Sequence, residues 1–385
     1  MSRYDVIVVG GRIAGASTAL LLARAGVRVI LVDRDRHGSD TLSTHGLMRG
    51  GVLQLSRWGV LPDVVAAGTP PVRDVVFHYA DGEKIRVAIR PRAGVDALYA
   101  PRRHLLDRLL VDAAASAGAE VAHQSTVTAL LCDTTGRVSG VRVRGRRSKS
   151  IDLHASWTIG ADGVRSTVAA QARAPVAWQG HTASAFLYRY FTGLPTEGYE
   201  WAYGDAAGLG LIPTNGATCV FVSTTPARMR SLRRDGAGQA FDTLLSSAAP
   251  GLVDRVAAAT PTSPMRGWAG LPGYLRHCWG AGWALVGDAG YFKDPITTHG
   301  MTDALRDAEL LADAVLRQFS GCPEAGALTA YERTRNRLSH DMITATEAVA
   351  GYNWSLDDVR HLLREVSSAM GEEVDHLQAL PLGYG

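Results

Sequence analysis

The sequence predicts an α/β fold in which a Rossmann-like nucleotide-binding domain carries an inserted antiparallel β-sheet and is followed by C-terminal helices. A short apolar strand, a glycine turn and an Ala/Leu-rich helix open the chain at residues 4–26. Residues 176–264 alternate apolar and polar side chains with a period of two, which is typical of half-buried strands. The α/β pattern returns near Trp279, so the sheet is inserted rather than appended.

The first elements form a βαβ unit. Residues 4–9 are an apolar strand, and Gly26 stops the helix that follows the glycine turn. Residues 27–32 are the next strand, and Asp33 stands at its end. Parallel strands joined by a helix are the architecture of nucleotide-binding domains.

Further predicted helices and strands suggest how the chain is divided into domains. Residues 103–118 have helical spacing, residues 121–131 and 138–143 read as strands, and residues from 327 onward are again helical. We predict a discontinuous nucleotide-binding domain, a sheet domain that binds substrate and a C-terminal helical segment. The nucleotide-binding domain comprises residues 1–75, 96–175 and 265–345. The sheet domain comprises residues 76–95 and 176–264, and the C-terminal segment comprises residues 346–385.

Composition excludes several classes of protein. The 385 residues have a formal net charge of +3, and the 40 basic residues form no stripe for nucleic acid and include only three lysines. The cysteines are widely spaced, without Cys-x-x-Cys or a histidine cluster, which predicts a reduced, metal-free, cytoplasmic protein. The first strand leaves no room for a signal peptide, and no apolar run reaches the roughly 18 residues of a membrane span. We therefore expect neither a nucleic-acid nor a membrane partner.

The glycine-rich turn stands where a dinucleotide-binding fingerprint belongs, between strand and helix. Gly10 suits the tight turn and Gly15 a close helix contact, but Arg12 replaces the glycine that lets the backbone approach a pyrophosphate. Arg12 either turns outward or meets a phosphate directly. Asp33 can bind a ribose hydroxyl. The cofactor-binding residues predicted here are Gly10, Gly11, Arg12, Ile13, Ala14, Gly15 and Asp33.

Residues 283–309 carry a second set of signals: an apolar strand, a Gly-Asp turn, an irregular loop and a new helix. Gly287 permits a tight turn, which leaves the carboxylate of Asp288 free to accept hydrogen bonds from a polyol. Gly300 opens the next helix, whose free N–H groups and dipole suit an anionic ring edge. A polyol and a ring that becomes anionic indicate a flavin. A third motif, the Asp-Gly turn at Asp162, follows a strand and lies between the other two.

The three motifs, in this order, resemble the FAD-dependent single-component aromatic hydroxylases, the group A, p-hydroxybenzoate hydroxylase-like flavoprotein monooxygenases. The resemblance covers the chain to about residue 345. It implies that Asp288 binds the ribityl chain and that the Asp162 motif serves both FAD and NAD(P)H. It also adds cofactor-binding residues, which are Arg34, Arg103, Val127, Asp162, Pro295, Gly300 and Met301.

The sequence also departs from that family. Tyr291, Thr297 and Thr302 stand where many members have histidine, glycine and asparagine. The related flavin-dependent halogenases carry a Trp-x-Trp-x-Ile-Pro marker. The corresponding stretch here, residues 208–213, keeps the Ile-Pro but lacks both tryptophans, which disfavours halogenation.

Aromatic residues of the inserted sheet either line a substrate pocket or pack in the core, since half-buried strands favour them anyway. The pocket candidates are Phe186, Tyr188, Tyr190, Trp201, Tyr203 and Pro213. His45 and His299 lie in loops that the resemblance places near the flavin, so each is a candidate base and, alternatively, a capping or solvated histidine. Lys293 contacts a phosphate or, as we favour, pairs with neighbouring Asp294.

The resemblance implies a monooxygenase in which NADPH or NADH reduces FAD and O2 then forms a C4a-hydroperoxyflavin. This intermediate would hydroxylate or epoxidise an aromatic or polyene-like small molecule, in bacterial secondary or aromatic metabolism. The nicotinamide would bind transiently, since the sequence has no second fingerprint. Two alternatives stay open: a flavin dehydrogenase or reductase without oxygen insertion, and a redox-silent FAD-binding protein.

Overall fold

The computed structural model describes residues 4–43, 45–146 and 149–381. Its central sheet has the strand order β18-β19-β9-β1-β2-β5, in which β1 pairs in parallel with β2 and with β9. β1 and β2 are short apolar runs buried along their whole length, as expected for parallel strands covered on both faces. The strands are β1 (Val6–Val9), β2 (Val29–Val32), β5 (Glu120–Ala122), β9 (Trp157–Gly160), β18 (Trp279–Gly280) and β19 (Trp283–Leu285).

Helices pack on the sheets and on one another. α1 contacts both α4 and α9, and its residues from Ile13 to Ala23 are buried, so it is a core helix rather than an amphipathic one. The helices are α1 (Ile13–Arg24), α2 (Arg49–Arg57), α3 (Leu61–Ala66), α4 (Arg103–Ser116), α5 (Thr167–Gln171), α6 (Pro226–Leu232), α7 (Ala237–Ala248), α8 (Val253–Ala257), α9 (Gly300–Phe319), α10 (Glu324–Ala350) and α11 (Leu356–Ala379). The predicted βαβ unit and the helix from Arg103 are confirmed.

A large second sheet has the order β15-β11-β14-β13-β12-β3-β4, with β16 also paired to β11. Most neighbours are antiparallel, as predicted, but β12 and β3 are parallel. β3 and β4 form a separate hairpin, and β3 pairs with β12 without a direct hairpin connection, so this pair is not constrained to be antiparallel. The strands are β3 (Asp74–Tyr79), β4 (Lys84–Ala88), β11 (Ala185–Thr192), β12 (Tyr199–Gly204), β13 (Ala207–Thr214), β14 (Ala217–Thr224), β15 (Thr260–Pro261) and β16 (Arg266–Trp268).

Two small sheets complete the strands. One is a meander, β6 (Ser125–Cys132), β7 (Val138–Gly145) and β8 (Ile151–His154), whose predicted turn is held by the side chain of Asp133. The other joins β10 (Val176–Gln179), β17 (Tyr274–Arg276) and β20 (Tyr291–Phe292). β10 and β16 therefore differ from the predicted division, because β10 pairs outside the large sheet and β16 pairs within it.

The C-terminal helices cover both parts of the molecule. α10 runs without a break across the predicted boundary at residue 345, and α11 begins at a capping box formed by Ser355 and Asp358. α11 packs against α10 and α2, which carries its residue Glu373 into the interior. In the part of the chain that the structure describes, no helix combines the length and apolarity that a bilayer crossing requires.

Candidate functional site

A cavity of about 490 Å³ opens at the carboxyl ends of the parallel strands. Val9 and Val32, the last residues of β1 and β2, line it together with Ala161, which follows β9, and Asp288, which follows β19. The first turns of α1 and α9 also face it. In open α/β sheets this edge is where ligands bind.

The glycine turn shapes one wall. Gly10 has a φ of +106°, and a Cβ there would collide with the carbonyl of Ala161. A Cβ on Gly15 would collide with the carbonyl of Gly10, so this glycine permits the close approach of α1. Gly10, Ile13 and Ala14 line the cavity, whereas Gly11 and Gly15 lie behind it. The N-terminus of α1 therefore faces the cavity, as in sites that bind phosphate.

Asp33 is buried at the end of β2 and lines the cavity together with Arg34. Its Oδ2 accepts a hydrogen bond from the N–H of Gly11, and its Oδ1 accepts one from the N–H of Asp35 at 2.6 Å. These bonds fix the carboxylate beside the glycine turn. A carboxylate in this position suits a ribose hydroxyl.

Two arginines share one buried carboxylate. The guanidinium of Arg12 lies 3.0 Å from Asp107 and 3.0 Å from Asp35, and Arg103 lies 3.2 Å from Asp107. Both arginines line the cavity. The guanidinium of Arg12 is thus held in place by two carboxylates of the protein.

The carboxylate of the Asp-Gly turn is held by hydrogen bonds from its own segment of the chain. Asp162 lines the cavity, but its carboxylate accepts hydrogen bonds from the hydroxyl of Ser166 at 2.5 Å and from the N–H of Thr167 at 2.6 Å. Burial raises the pKa of Asp162, although these hydrogen bonds act in the opposite direction. The carboxylate therefore fixes the start of α5. Val127, the other residue expected near this end, lines the cavity with Ser125.

The Gly-Asp turn at Asp288 and the loop after it form another part of the cavity wall. Gly287 has a φ of +58°, and a Cβ there would press on Ala14 of α1. Asp288 is half-buried, and burial raises its pKa to about 6, against the influence of Lys293 and Arg103. Pro295, Gly300 and Met301 line the cavity, and a Cβ on Gly300 would meet open space. The start of α9 is therefore accessible to a ligand.

Two of the aromatic pocket candidates lie in the wall of the cavity. Phe186 and Tyr188 of β11 line the cavity, as do Trp268 and Phe292, whose rings lie 6.2 Å apart. We missed the last two because each sits on a short strand with little periodicity. We refer to these four residues as the aromatic wall.

The other pocket candidates do not line this cavity. Trp201 packs on Phe221 with ring centroids 5.9 Å apart, and Tyr203 packs on Trp354 at 6.1 Å. Pro213 pairs with Thr218 between β13 and β14. Because β12 lies between β13 and β3 and contacts α11, its aromatic side chains fill the core.

The two histidines differ in position. His45 is fully buried, lines the cavity and contacts the hydroxyl of Tyr190 through Nε2. Its Nδ1 is buried and has no hydrogen-bond partner within residues 4–43, 45–146 and 149–381. Burial, reinforced by Arg102 and Arg103, holds the pKa of His45 well below its ordinary value, so the imidazole is neutral.

His299 does not line the cavity, which corrects its place as a candidate base. It is buried, and its Nε2 lies 3.2 Å from Glu373. Burial lowers the pKa of His299, although Glu373 acts in the opposite direction. Its position at the start of α9 turns the ring toward α11 rather than toward a ligand.

A buried ionic cluster lies behind the start of α9. Arg306 contacts Asp303 at 3.1 Å, Asp307 at 2.7 Å and Glu373 at 2.8 Å. Lys293 forms an ion pair with Asp303 and lines the cavity. The expected pair between Lys293 and Asp294 is wrong, because Asp294 instead accepts hydrogen bonds from the N–H groups of Ser184 and Ile296.

The fold and the cavity define a dinucleotide-binding protein whose second site element is a helix start beside a Gly-Asp turn. Residues 3–346 match the family described as FAD binding domain, and the chain belongs to that family. FAD fits the residues present, since the glycine turn, the buried Asp33, and the free start of α9 offer complementary groups along one cavity.

Relatives of this chain catalyse different reactions by name. A digeranylgeranylglycerophospholipid reductase of Methanothrix thermoacetophila is 28% identical over 97% of this chain and 94% of its own length. Squalene epoxidase 2 of Arabidopsis thaliana is 27% identical over 94% of this chain and 63% of its own length. Aklavinone 12-hydroxylase of Streptomyces peucetius is 26% identical over 95% of this chain and 78% of its own length.

Solved structures share the fold. The flavin-dependent brominase Bmp2 superposes with a TM-score of 0.81 at 17% identity, over 97% of this chain and 98% of its own. PqsL of Pseudomonas aeruginosa, in complex with 2-aminobenzoylacetate, superposes with a TM-score of 0.78 at 23% identity. The superposition covers 96% of this chain and 99% of the PqsL chain. These likenesses establish the architecture, and the predicted fold class is confirmed.

Proposed function

We propose that this protein is an FAD-dependent, NAD(P)H-driven monooxygenase that acts on an apolar aromatic or polyene-like molecule. One observation carries the proposal: the groups suited to FAD and the aromatic wall line the same cavity. Bound FAD would supply the electron transfer and the oxygen activation. The protein would bind and orient the cofactor and the substrate.

Each end of the cavity suits one part of FAD. Asp33 would accept a hydrogen bond from the ribose, and the first N–H groups of α1 would meet the pyrophosphate. Asp288 would accept hydrogen bonds from the ribityl hydroxyls. The start of α9 at Gly300 would stabilise negative charge on the ring edge, because N–H groups and the helix dipole both point there.

The substrate side is apolar. The aromatic wall has no charged side chain, and it would hold a planar or unsaturated molecule through ring contacts while excluding water. Neutral His45 is a polar group of the same cavity, with Nε2 on Tyr190 and Nδ1 unpaired within the described ranges. We assign it to proton exchange with the substrate.

A reductase is the second candidate, because a relative named as a reductase matches 97% of the chain. Turnover of a phenol, quinone and polyene panel under ¹⁸O2 separates the two. We expect labelled oxygen in the product and no turnover without O2. A product that gains two hydrogens, formed equally well without O2, would establish the reductase instead, and absence of NAD(P)H oxidation across the panel would favour a redox-silent protein.

A further inference from the structure

Lys293 is an exceptional residue in this chain. Only three of the 40 basic residues are lysines, and the structure describes all three. The side chain of Lys293 is 2% exposed, whereas Lys84 is 46% exposed and Lys149 is on the surface. Although most basic residues of this chain are arginines, the basic residue at this position in the cavity wall is a lysine.

The surroundings of Lys293 explain how its charge can vary. Its ammonium contacts Asp303 and lies 5.4 Å from the ring centre of Tyr291. Arg306 contacts the same carboxylate at 3.1 Å, so Asp303 keeps a cation when Lys293 is neutral. The charged and titratable groups that face Lys293 from the packed elements are Asp288, Tyr291, His299, Asp303, Arg306, Asp307 and Glu373.

Lysine and arginine differ in the property that matters here. A guanidinium stays charged in proteins, whereas a buried ammonium can lose its proton. Burial, followed by the charge of Arg306, lowers the pKa of Lys293 to about 7. Arg306 thus supplies a permanent positive charge, and Lys293 supplies one that can respond to its surroundings.

The position of Lys293 links it to the ring end of the cavity. It lines the wall with Asp288, Pro295 and Gly300, the residues that would surround the ribityl chain and the ring edge. A new negative charge on the ring would lie within this wall, where the surroundings are poorly screened by water. Such a charge favours the protonated form of a nearby amine.

We propose that Lys293 takes up one proton when FAD is reduced and releases it when FAD is reoxidised. This rests on the proposed binding of FAD. The nicotinamide gives a hydride to the flavin and leaves oxidised; the flavin gains one negative charge; and a proton from water binds the Nζ of Lys293. The new anion at the start of α9 is then matched by a new cation.

The test is the reduction midpoint potential of the FAD-bound protein, followed from pH 5.5 to 9 with a redox dye and no substrate. For a two-electron couple, each proton taken up contributes about 30 mV per pH unit. In the natural protein we expect about 30 mV per pH unit at low pH, where Lys293 is already protonated. Above about pH 7 we expect about 59 mV per pH unit, for one proton on the flavin and one on Lys293. In Lys293→Met and Lys293→Arg we expect about 30 mV per pH unit throughout.

The two variants should also differ in absolute potential. Lys293→Met removes the cation and should lower the potential, whereas Lys293→Arg keeps a fixed cation and should raise it at high pH. Lys84→Met, at an exposed lysine, should match the natural protein. A slope that stays shallow throughout in the natural protein, or a steep slope that survives in either Lys293 variant, would overturn the proposal.

The outcome is separable from that of the proposed function. The titration needs neither substrate nor O2, so FAD-bound protein that lacks monooxygenase activity still tests Lys293. Protein that binds no FAD would contradict both proposals. A steep slope lost only in Asp288→Asn would assign the proton to Asp288 and reject Lys293.

Discussion

At the scale of single residues, Asp288 is a half-buried carboxylate in the wall of the cavity. Burial raises its pKa to about 6, so below that pH the unliganded group is largely protonated. The ionised form accepts hydrogen bonds from hydroxyl groups, and the protonated form accepts them poorly. The affinity for FAD should therefore rise as the pH increases through about 6.

Asp288→Asn tests this dependence. A hydrogen bond to a charged group contributes about 1.5–3 kcal/mol, so we expect the variant to bind FAD roughly 10- to 100-fold more weakly at pH 7.5. Its affinity should also lose the pH dependence near 6. Flavin fluorescence titration of the apoprotein measures both. Asp152→Asn, at a surface ion pair, is the control, and equal affinities in all three proteins would reject the role of Asp288.

His45 makes a prediction about turnover rather than cofactor binding. If its imidazole exchanges a proton with the substrate, His45→Ala should lower the turnover rate by roughly 10²–10⁴-fold. Tyr190→Phe should have a smaller effect, because it removes only the group that touches Nε2. Stopped-flow measurement of substrate conversion, with FAD content as a check, reports the change.

The exposed His361, whose side chain is 65% accessible, offers a matched control for the same substitution. His361→Ala should leave turnover unchanged. Full activity in His45→Ala would show that the histidine only shapes its loop, where its φ of +64° is already unusual for a residue with a side chain.

At the scale of elements, one acidic residue fastens α11 to α9. Glu373 lies 2.8 Å from Arg306 and 3.2 Å from His299 in the interior. Burial alone would raise the pKa of Glu373, but His299 and Arg306 lower it overall. A carboxyl with a depressed pKa contributes stability that is present above its unfolded value, here 4.5, and is lost as the pH falls further.

Glu373→Gln should therefore destabilise the docking of α11. Removing one partner of a buried ion pair costs about 3–5 kcal/mol, because the remaining charge stays uncompensated. Urea unfolding of the apoprotein at pH 7.5 should show a lower midpoint. Glu372→Gln changes the neighbouring exposed residue and should fall within about 0.5 kcal/mol of the natural protein. Similar midpoints for both variants would show that the cluster does not hold the helix.

At the scale of the whole molecule, local signals were predictable and distant pairings were not. The glycine turn, Asp33 and the Gly-Asp segment could be placed because each follows its own strand. The parallel pairing of β3 with β12 joins segments more than 100 residues apart, and no local pattern encodes it. Glu373 likewise reaches the cluster from another helix.

The sequence contained a signal from which the buried position of Lys293 could have been predicted. Its immediate neighbour Asp294 suggested a local ion pair, but the loop turns between them and Lys293 meets Asp303 instead. The scarcity of lysine in an arginine-rich chain already marked the residue. Such rarity points to a property that arginine lacks, which here is the ability to lose a proton.

The cavity joins the nucleotide-binding domain to the large sheet, since strands of both contribute to its lining. A ligand that binds only the folded chain stabilises it by RT ln(1 + [L]/Kd), which is about 2.7 kcal/mol at 100 times Kd. Added FAD should therefore raise the midpoint temperature of thermal unfolding of the apoprotein, and this increase should continue to grow with the FAD concentration. Because the two parts meet at this cavity, stabilisation of one part should reach the other, and signals from Trp157 in the central sheet and Trp201 in the large sheet should shift together. Single-tryptophan reporters at these positions measure this, and a shift confined to Trp157 would show that the large sheet gains nothing from the cofactor.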